Sequence, residues 1–252
     1  MMTFEFFTQF IWLWIAIGIV TFFSLLFITV PYGRHTKTGW GPLIDNRISW
    51  ILMEAVVLVV LYFFIYTGSN SISLANGVII AMFSFHYFNR SFIFPFRIKT
   101  NGKKMPLSIT LLSVTFNSVN GFLIGYYLGE FKMYDDAWLT SPQFIIGTLV
   151  FFTGMALNWN SDSILINLRK PGETGYKIPE KGFFKYVSCP NLLGEVIEWG
   201  GFAILTWSLP GLAFFVWTCA NLIPRALAHH KWYKEKFESY PKERKAIIPK
   251  TW

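Results

Sequence analysis

Apolar runs and basic connections alternate along this chain in a pattern that only a multi-pass membrane fold accommodates. Seven apolar runs can be read, at about 4–30, 50–66, 72–88, 108–128, 143–158, 192–208 and 211–228. Each is near the ~20 residues that a helix needs to cross a hydrocarbon core. The connections 31–49, 89–107, 159–190 and 229–252 hold three, five, five and seven Lys or Arg residues; 67–71 and the turn near Pro210 hold none, and 129–142 holds only Lys132. Basic connections stay on the cytoplasmic side, so seven transmembrane helices are expected, with the N-terminus outside and the C-terminus cytoplasmic. Only 14% of the residues are charged and 53% are hydrophobic, against about 25% charged in soluble domains, which predicts an all-α integral membrane protein.

The first run lacks a basic leader and a small-residue cleavage site, so it reads as a retained helix. The net charge of +8 is mostly the topological signal. It leaves room for an anionic ligand or lipid headgroups and gives no reason to invoke nucleic acid. Cys189 and Cys219 form neither a disulfide framework nor a metal-ligand pattern, and no metal site is expected. The whole of 1–252 reads as a single membrane domain, with a half spanning 1–130 and another spanning 143–252. Gly121, Gly125 and Gly129 have the four-residue spacing that lets a second helix approach closely. Pro210-Gly211 predicts a tight turn that folds the last two runs into a hairpin. The Gly/Pro-rich stretch 168–182 is expected to be an ordered loop or a lid.

Polar side chains inside the runs fall toward their basic ends: Glu54, Tyr87, Asn117, Asn120, Asn158, Asp162, Asn191, Glu195, Glu198 and Arg225. Ionisable groups in hydrocarbon cost roughly 2.5–3.5 kcal/mol each, so they mark function more often than decoration. Glu54 has no basic neighbour in sequence, and burial favours its neutral acid unless a cation pairs with it. Tyr87 falls at similar depth, and a phenol beside a carboxylic acid can polarise a carbonyl. A structural hydrogen bond for Glu54 and an interfacial position for Tyr87 are the alternatives. Three polar stripes follow: Asn158, Asp162 and Arg169, on one face if their helix continues past the membrane; Asn191, Glu195 and Glu198; and Arg225, His229 and Tyr233. Together they offer carboxylates and amides for ribose and carboxamide, and guanidinium groups for phosphates, the mixture that a dinucleotide needs. Each stripe alone also fits a solvated helix end. His86, His229 and His230 lack metal spacing and read as solvated or capping residues.

Several segments resemble the steroid 5α-reductase family (3-oxo-5α-steroid 4-dehydrogenases). They are NWNSD at 158–162, LRKPGETGYKIP at 168–179, NLLGEVIEWGGFAILTWSLPGLAF at 191–214, RALAHHKWY at 225–233 and SYPKERKAIIP at 239–249, with PYGRHT at 31–36 and HYFNR at 86–90. The resemblance implies a seven-helix membrane enzyme that uses NADPH to reduce the C4–C5 double bond of 3-oxo-Δ4-steroids. It implies that Glu54 and Tyr87 polarise the substrate carbonyl, within a substrate pocket including Trp50, Met53, Asn117 and Asn120. It further implies that Asn158, Asp162, Arg169, Tyr176, Asn191, Glu195, Arg225 and Tyr233 contact the cofactor, with Lys103 near a phosphate. One departure is Met53, where animal members usually carry Gln; it leaves the carbonyl site one polar group short.

The substrate expected is an apolar steroid or enone entering from the lipid, and the protein is expected to be a monomer in a bacterial inner membrane or endoplasmic reticulum. Related sterol or enoyl reductases and an isoprenylcysteine-type methyltransferase are the enzymatic alternatives. A seven-helix transporter or receptor is the non-enzymatic one. A transporter calls for polar groups at the midplane and matched broken helices, which this sequence lacks. Cofactor binding is expected to order 159–190 and 229–252 together, because neither segment shows an apolar face of its own.

Overall fold

Each of the seven runs is helical in the computed structural model, which describes every residue except Met1, Thr38, Asn101, Pro171, Gly172, Thr174, Thr251 and Trp252. The Lys170-Pro171 step is expected to end any preceding helix, but Pro171 lies outside the described residues. In order, the helices are α1 (Phe4–Phe27), α2 (Asn46–Thr67), α3 (Leu74–Phe88), a short α4 (Phe94–Arg97), α5 (Leu107–Tyr126), α6 (Pro142–Ile166), α7 (Pro190–Thr206) and α8 (Leu209–Lys236). Five are long and apolar enough to cross a membrane: α1, α2, α5 with its extension to Phe131, α6 and α8. At 15 and 17 residues, α3 and α7 are shorter. The fold departs from all-α at an isolated parallel bridge joining Val187 to Lys245, and where β1 (Leu43–Asp45) and β2 (Lys104–Pro106) pair antiparallel. The segments leading into α2 and α5 lie side by side there, and the ladder satisfies backbone groups that precede two helix starts.

The chain forms two compact units, Met1–Ile11 with Val30–Ile145 and Trp12–Thr29 with Ile146–Trp252. In the first, the Asp45 carboxylate caps α2 by accepting from the backbone N–H groups of Arg47 and Ile48 at 2.8 and 3.1 Å, satisfying donors that a helix start leaves open. From that cap α2 buries Ser49, Met53, Val57, Leu61 and Ile65, every fourth residue. The buried row meets the glycines of α5. A Cβ on Gly121 would lie 2.7 Å from the Val57 carbonyl oxygen, and one on Gly125 2.6 Å from that of Leu61. The close approach expected of that spacing is therefore real, and its partner is α2. Partner numbers rise together, so α2 and α5 run parallel. Connection 67–71 meets the end of α5, where Asn70 N–H donates to the Gly129 carbonyl at 2.8 Å and Ser69 N–H to Glu130 Oε2 at 2.9 Å. At the other end Arg47 Nε donates to the Pro95 carbonyl at 3.0 Å. Connections of like charge thus gather at like ends.

In the second unit both partners of a seam carry glycine. Gly147 and Gly154 of α6 face Gly201 and Gly194 of α7 backbone to backbone, and a Cβ on any of the four would collide with main chain. Here the numbers run oppositely, so the pair is antiparallel. Trp207, left-handed at φ 42°, caps α7, and the Ser208 hydroxyl accepts from the Gly211 N–H at 3.2 Å to open α8. The turn is therefore Trp207-Ser208. Pro210 and Gly211 already lie inside α8, because proline suits a first helical turn where its missing N–H costs nothing.

Candidate active site

The first unit buries a polar cluster shared by three helices. Tyr87 of α3 is 4% exposed, and its hydroxyl donates to Asn117 Oδ1 of α5 at 3.4 Å. Asn117 Nδ2 in turn donates to the Met53 carbonyl of α2 at 2.6 Å. Tyr87 is thus enclosed by protein. The next residue, Glu54, is not the isolated acid expected, because Arg90 Nη2 stands 3.5 Å from its Oε1. That guanidinium lies over the rings of Trp50 and Phe94, with centroids 4.8 and 4.5 Å away. Pairing offsets the cost of holding an ionised carboxylate away from water.

In the sequence Arg90 reads as one of the topological charges of connection 89–107. The structure places it in a π-helical turn, Asn89–Ile93, joining α3 to α4, where Asn89, Arg90 and Ser91 are all buried. Such turns re-aim side chains and recur at functional sites. The polar run after FHY was the available signal. Of the remaining substrate-pocket residues, Met53 packs with Met105 and Ile109, and Trp50 lies against that cluster. Asn120 Nδ2 donates to its own helix, at the Phe116 carbonyl 2.8 Å away. Lys103 also belongs to this unit, exposed before β2, with its carbonyl accepting from the Asn46 N–H at 3.2 Å.

The second unit brings two of the three stripes into direct contact. Asn158 Nδ2 donates to the Asn191 carbonyl at 3.0 Å, and Asn191 Nδ2 to Asp162 Oδ1 at 3.1 Å. The glycine seam makes this contact possible, since a Cβ on Gly194 would stand 2.5 Å from Asn158 N. Glu195 is half-buried beyond Asn191, and Glu198 is fully buried toward the seam. Arg225 and Tyr233 are buried on α8. Arg169 does not share the α6 face, because α6 stops at Ile166; its Nη1 donates to the Gly175 carbonyl at 3.1 Å. Tyr176 packs edge-on against Trp232, centroids 4.9 Å apart.

Among the described residues, Asn158 Oδ1 and Ser161 Oγ are buried without a hydrogen-bond partner, in residues each 1% exposed. Buried acceptors of this kind call for a polar guest. Beside the Asp162 carboxylate and the amide of Asn191, they fit ribose hydroxyls and a carboxamide, so the residues present suit a nicotinamide dinucleotide.

The tail is better anchored than expected. Tyr240, Ala246 and Ile247 are buried, and the tail backbone pairs with 186–189: Ser188 N–H donates to the Lys245 carbonyl at 2.8 Å and Cys189 N–H to that of Ala246 at 3.1 Å. Arg244 Nη1 donates to the Pro179 carbonyl at 3.0 Å. Apolar anchors spaced among basic residues concealed this docking in the sequence. Ser188 Oγ also lies 2.6 Å from both His230 Nδ1 and the Tyr240 hydroxyl, so His230 is tied into the protein and is not simply solvated. Burial raises the Tyr240 phenol above its ordinary value, against the opposing pull of Ser188 and Arg244. In the exposed loop, hydrogen bonds from Lys177 and the Lys170 backbone lower the Glu173 carboxyl.

A family model described as 3-oxo-5-alpha-steroid 4-dehydrogenase matches residues 103–252. The chain is 44% identical over 238 residues to 3-oxo-5-alpha-steroid 4-dehydrogenase 1 of Bos taurus, covering 93% of this chain and 92% of the relative. It is 42% identical to steroid 5-alpha-reductase DET2 of Gossypium hirsutum over 238 residues, covering 92% of each. To 3-oxo-5-alpha-steroid 4-dehydrogenase 1 of Homo sapiens it is 42% identical over 236 residues, covering 93% of this chain and 91% of that one.

Proposed function

The chain belongs to the 3-oxo-5-alpha-steroid 4-dehydrogenase family, and from that premise we propose that it reduces the C4–C5 double bond of a 3-oxo-Δ4-steroid or similar apolar enone, with NADPH as reductant. The observation that carries this reading is the buried Tyr87 phenol, joined through Asn117 to the Met53 carbonyl, next in chain to the Glu54–Arg90 pair. Tyr87 donates a hydrogen bond to the ketone oxygen, where negative charge develops as the β-carbon is reduced, and keeps its proton while the resulting enolate takes one from water at the α-carbon. Donors set in advance at such an oxygen contribute about 3 kcal/mol of barrier lowering. Glu54, held by Arg90, fixes the electrostatics around the phenol and orients the ketone. When bound, the nicotinamide supplies a hydride to the β-carbon of the enone, and a proton completes the α-carbon.

In the second unit, Asn158, Asp162, Asn191 and Glu195 take the ribose and carboxamide groups. Arg225 and Arg169 meet phosphate, with Tyr176 and Tyr233 beside them. We also propose seven spans with the basic connections cytoplasmic. The helix continuing from α3 through the π-turn and α4, Leu74 to Arg97, supplies the length that α3 alone lacks. The protein then sits as a multi-pass monomer in a bacterial inner membrane or endoplasmic reticulum, and its substrate arrives from the lipid. The test is purified protein in lipid nanodiscs with NADPH and a panel of enones. Steroid-dependent loss of NADPH absorbance with a product saturated at C4–C5 is expected. Reduction of enoyl thioesters with every steroid untouched would overturn the substrate class.

A further inference from the structure

We propose that Asn117 is a positioning residue for the reaction: it sets the direction of the Tyr87 hydroxyl without itself touching the reacting atoms. The inference rests on the role proposed above for Tyr87. Met53, Tyr87 and Asn117 are 6%, 4% and 5% exposed, so their hydrogen bonds exchange little with water. The 2.6 Å contact between Asn117 and the Met53 carbonyl settles which way the amide faces, since a carbonyl oxygen accepts only and the amide nitrogen must point to it. Oδ1 is then turned to Tyr87, and an amide oxygen also only accepts. The phenol in this arrangement must donate, so Asn117 keeps the proton on Tyr87 and aims it.

Ring packing cannot do the same. The neighbours Phe83 and His86, with centroids 4.9 and 5.1 Å from the Tyr87 ring, fix the plane of the ring but leave the hydroxyl free to rotate. At 3.4 Å the bond to Asn117 is long, and long hydrogen bonds are weak. A ketone oxygen gaining negative charge is a stronger acceptor than a neutral amide, so it takes the proton donor from Asn117 as the reaction proceeds. The same amide also ties Tyr87 on α3 to the backbone step before Glu54 on α2. Met53 brings no polar side chain to this place, and Asn117 brings one from α5.

A double-mutant cycle tests the inference, with turnover, enone KM and NADPH Kd measured for wild type, Asn117→Leu, Tyr87→Phe and the double variant. Asn117→Leu keeps the side-chain volume close. It is expected to lower kcat about tenfold with NADPH Kd unchanged, and to cost nothing further once Tyr87 is Phe. An additive loss in the double variant would show that Asn117 acts independently of the phenol and would overturn the inference. Asn117→Asp is the second probe, and it decides the matter if the Leu variant does not assemble or Tyr87→Phe has no measurable turnover. Its ionised form sets an oxygen against the Met53 carbonyl, whereas its protonated form restores a donor to Met53 and an acceptor for Tyr87. Turnover of Asn117→Asp relative to wild type should recover as pH falls. A pH-independent ratio contradicts the proposal. Full activity in Tyr87→Phe would instead remove the role of Tyr87, a result distinct from failure of the Asn117 arm.

Discussion

In the first unit the glycines within the close helix seam, Gly121 and Gly125, lie on α5, and α2 answers with Val57 and Leu61, two glycines (Gly68 and Gly129) meeting only where the helices end; in the second, α6 and α7 both contribute glycine along the seam and their backbones meet. The polar groups follow the same division. Tyr87, Asn117 and Met53 are linked through one side-chain amide bridging three helices, an arrangement that leaves a hydroxyl free to change partners. Asn158, Asn191 and Asp162 are bonded directly across the seam itself, so their positions are set by the distance between two backbones. Helices in a bilayer gain little from hydrophobic contact with each other and depend on close packing. The difference suits the roles proposed for them, carbonyl polarisation in the first unit and cofactor binding in the second.

The largest effect is expected from breaking the double-glycine seam. Gly194→Val should destabilise the protein by about 3 kcal/mol or more, since rigid main chain must move to admit it, and should abolish NADPH binding measured by fluorescence titration. The next effect sharpens the ligand side of the comparison. NADPH should bind one to two orders of magnitude more tightly than NADH, because charge-assisted contacts are worth roughly 1.5–3 kcal/mol, and Arg169→Gln should narrow the gap in the same titration. Smaller again is Gly125→Ala in the one-sided seam: roughly 1–3 kcal/mol of stability lost by thermal melting, with NADPH Kd within about twofold of wild type. An equal loss of cofactor affinity there would erase the distinction between the two seams.

The smallest effect concerns the docked tail. The Tyr240 phenol is raised by burial, so the folded state prefers its neutral form. Its contribution is fully present below the unfolded value of ~10 and is lost as pH climbs through the folded value. Protease protection of residues 237–250 should therefore decline at alkaline pH, and Tyr240→Phe should flatten that decline while costing about 1 kcal/mol for the bond to Ser188.

Much of this was legible in the sequence because membrane helices announce themselves by length, and Gly121, Gly125 and Gly129 by spacing. The α6/α7 seam had a signal too: Gly147 and Gly154 repeat at seven residues, as do Gly194 and Gly201, and the two runs match. Neither run alone shows the four-residue motif, so the match appears only when the two are set side by side. Arg90 was hidden by position, since a basic residue at the edge of an apolar run reads as a topological charge unless the π-turn that buries it is visible. The end of α6 before Arg169 and the docking of the tail depend on tertiary contacts that periodicity does not encode.

The most direct test of the proposed division is to measure NADPH Kd and enone turnover in parallel for Tyr87→Phe, Glu54→Gln and Asp162→Ala in the same nanodiscs. The two variants of the first unit should keep NADPH Kd within about twofold, while turnover falls by two to three orders of magnitude in Tyr87→Phe, the scale of losing one positioned donor, and clearly in Glu54→Gln. Asp162→Ala should weaken NADPH binding at least tenfold and recover much of its turnover at saturating cofactor. If Tyr87→Phe and Glu54→Gln lost cofactor affinity as steeply as Asp162→Ala, or kept wild-type turnover, the assignment of carbonyl chemistry to the first unit and cofactor binding to the second would be contradicted.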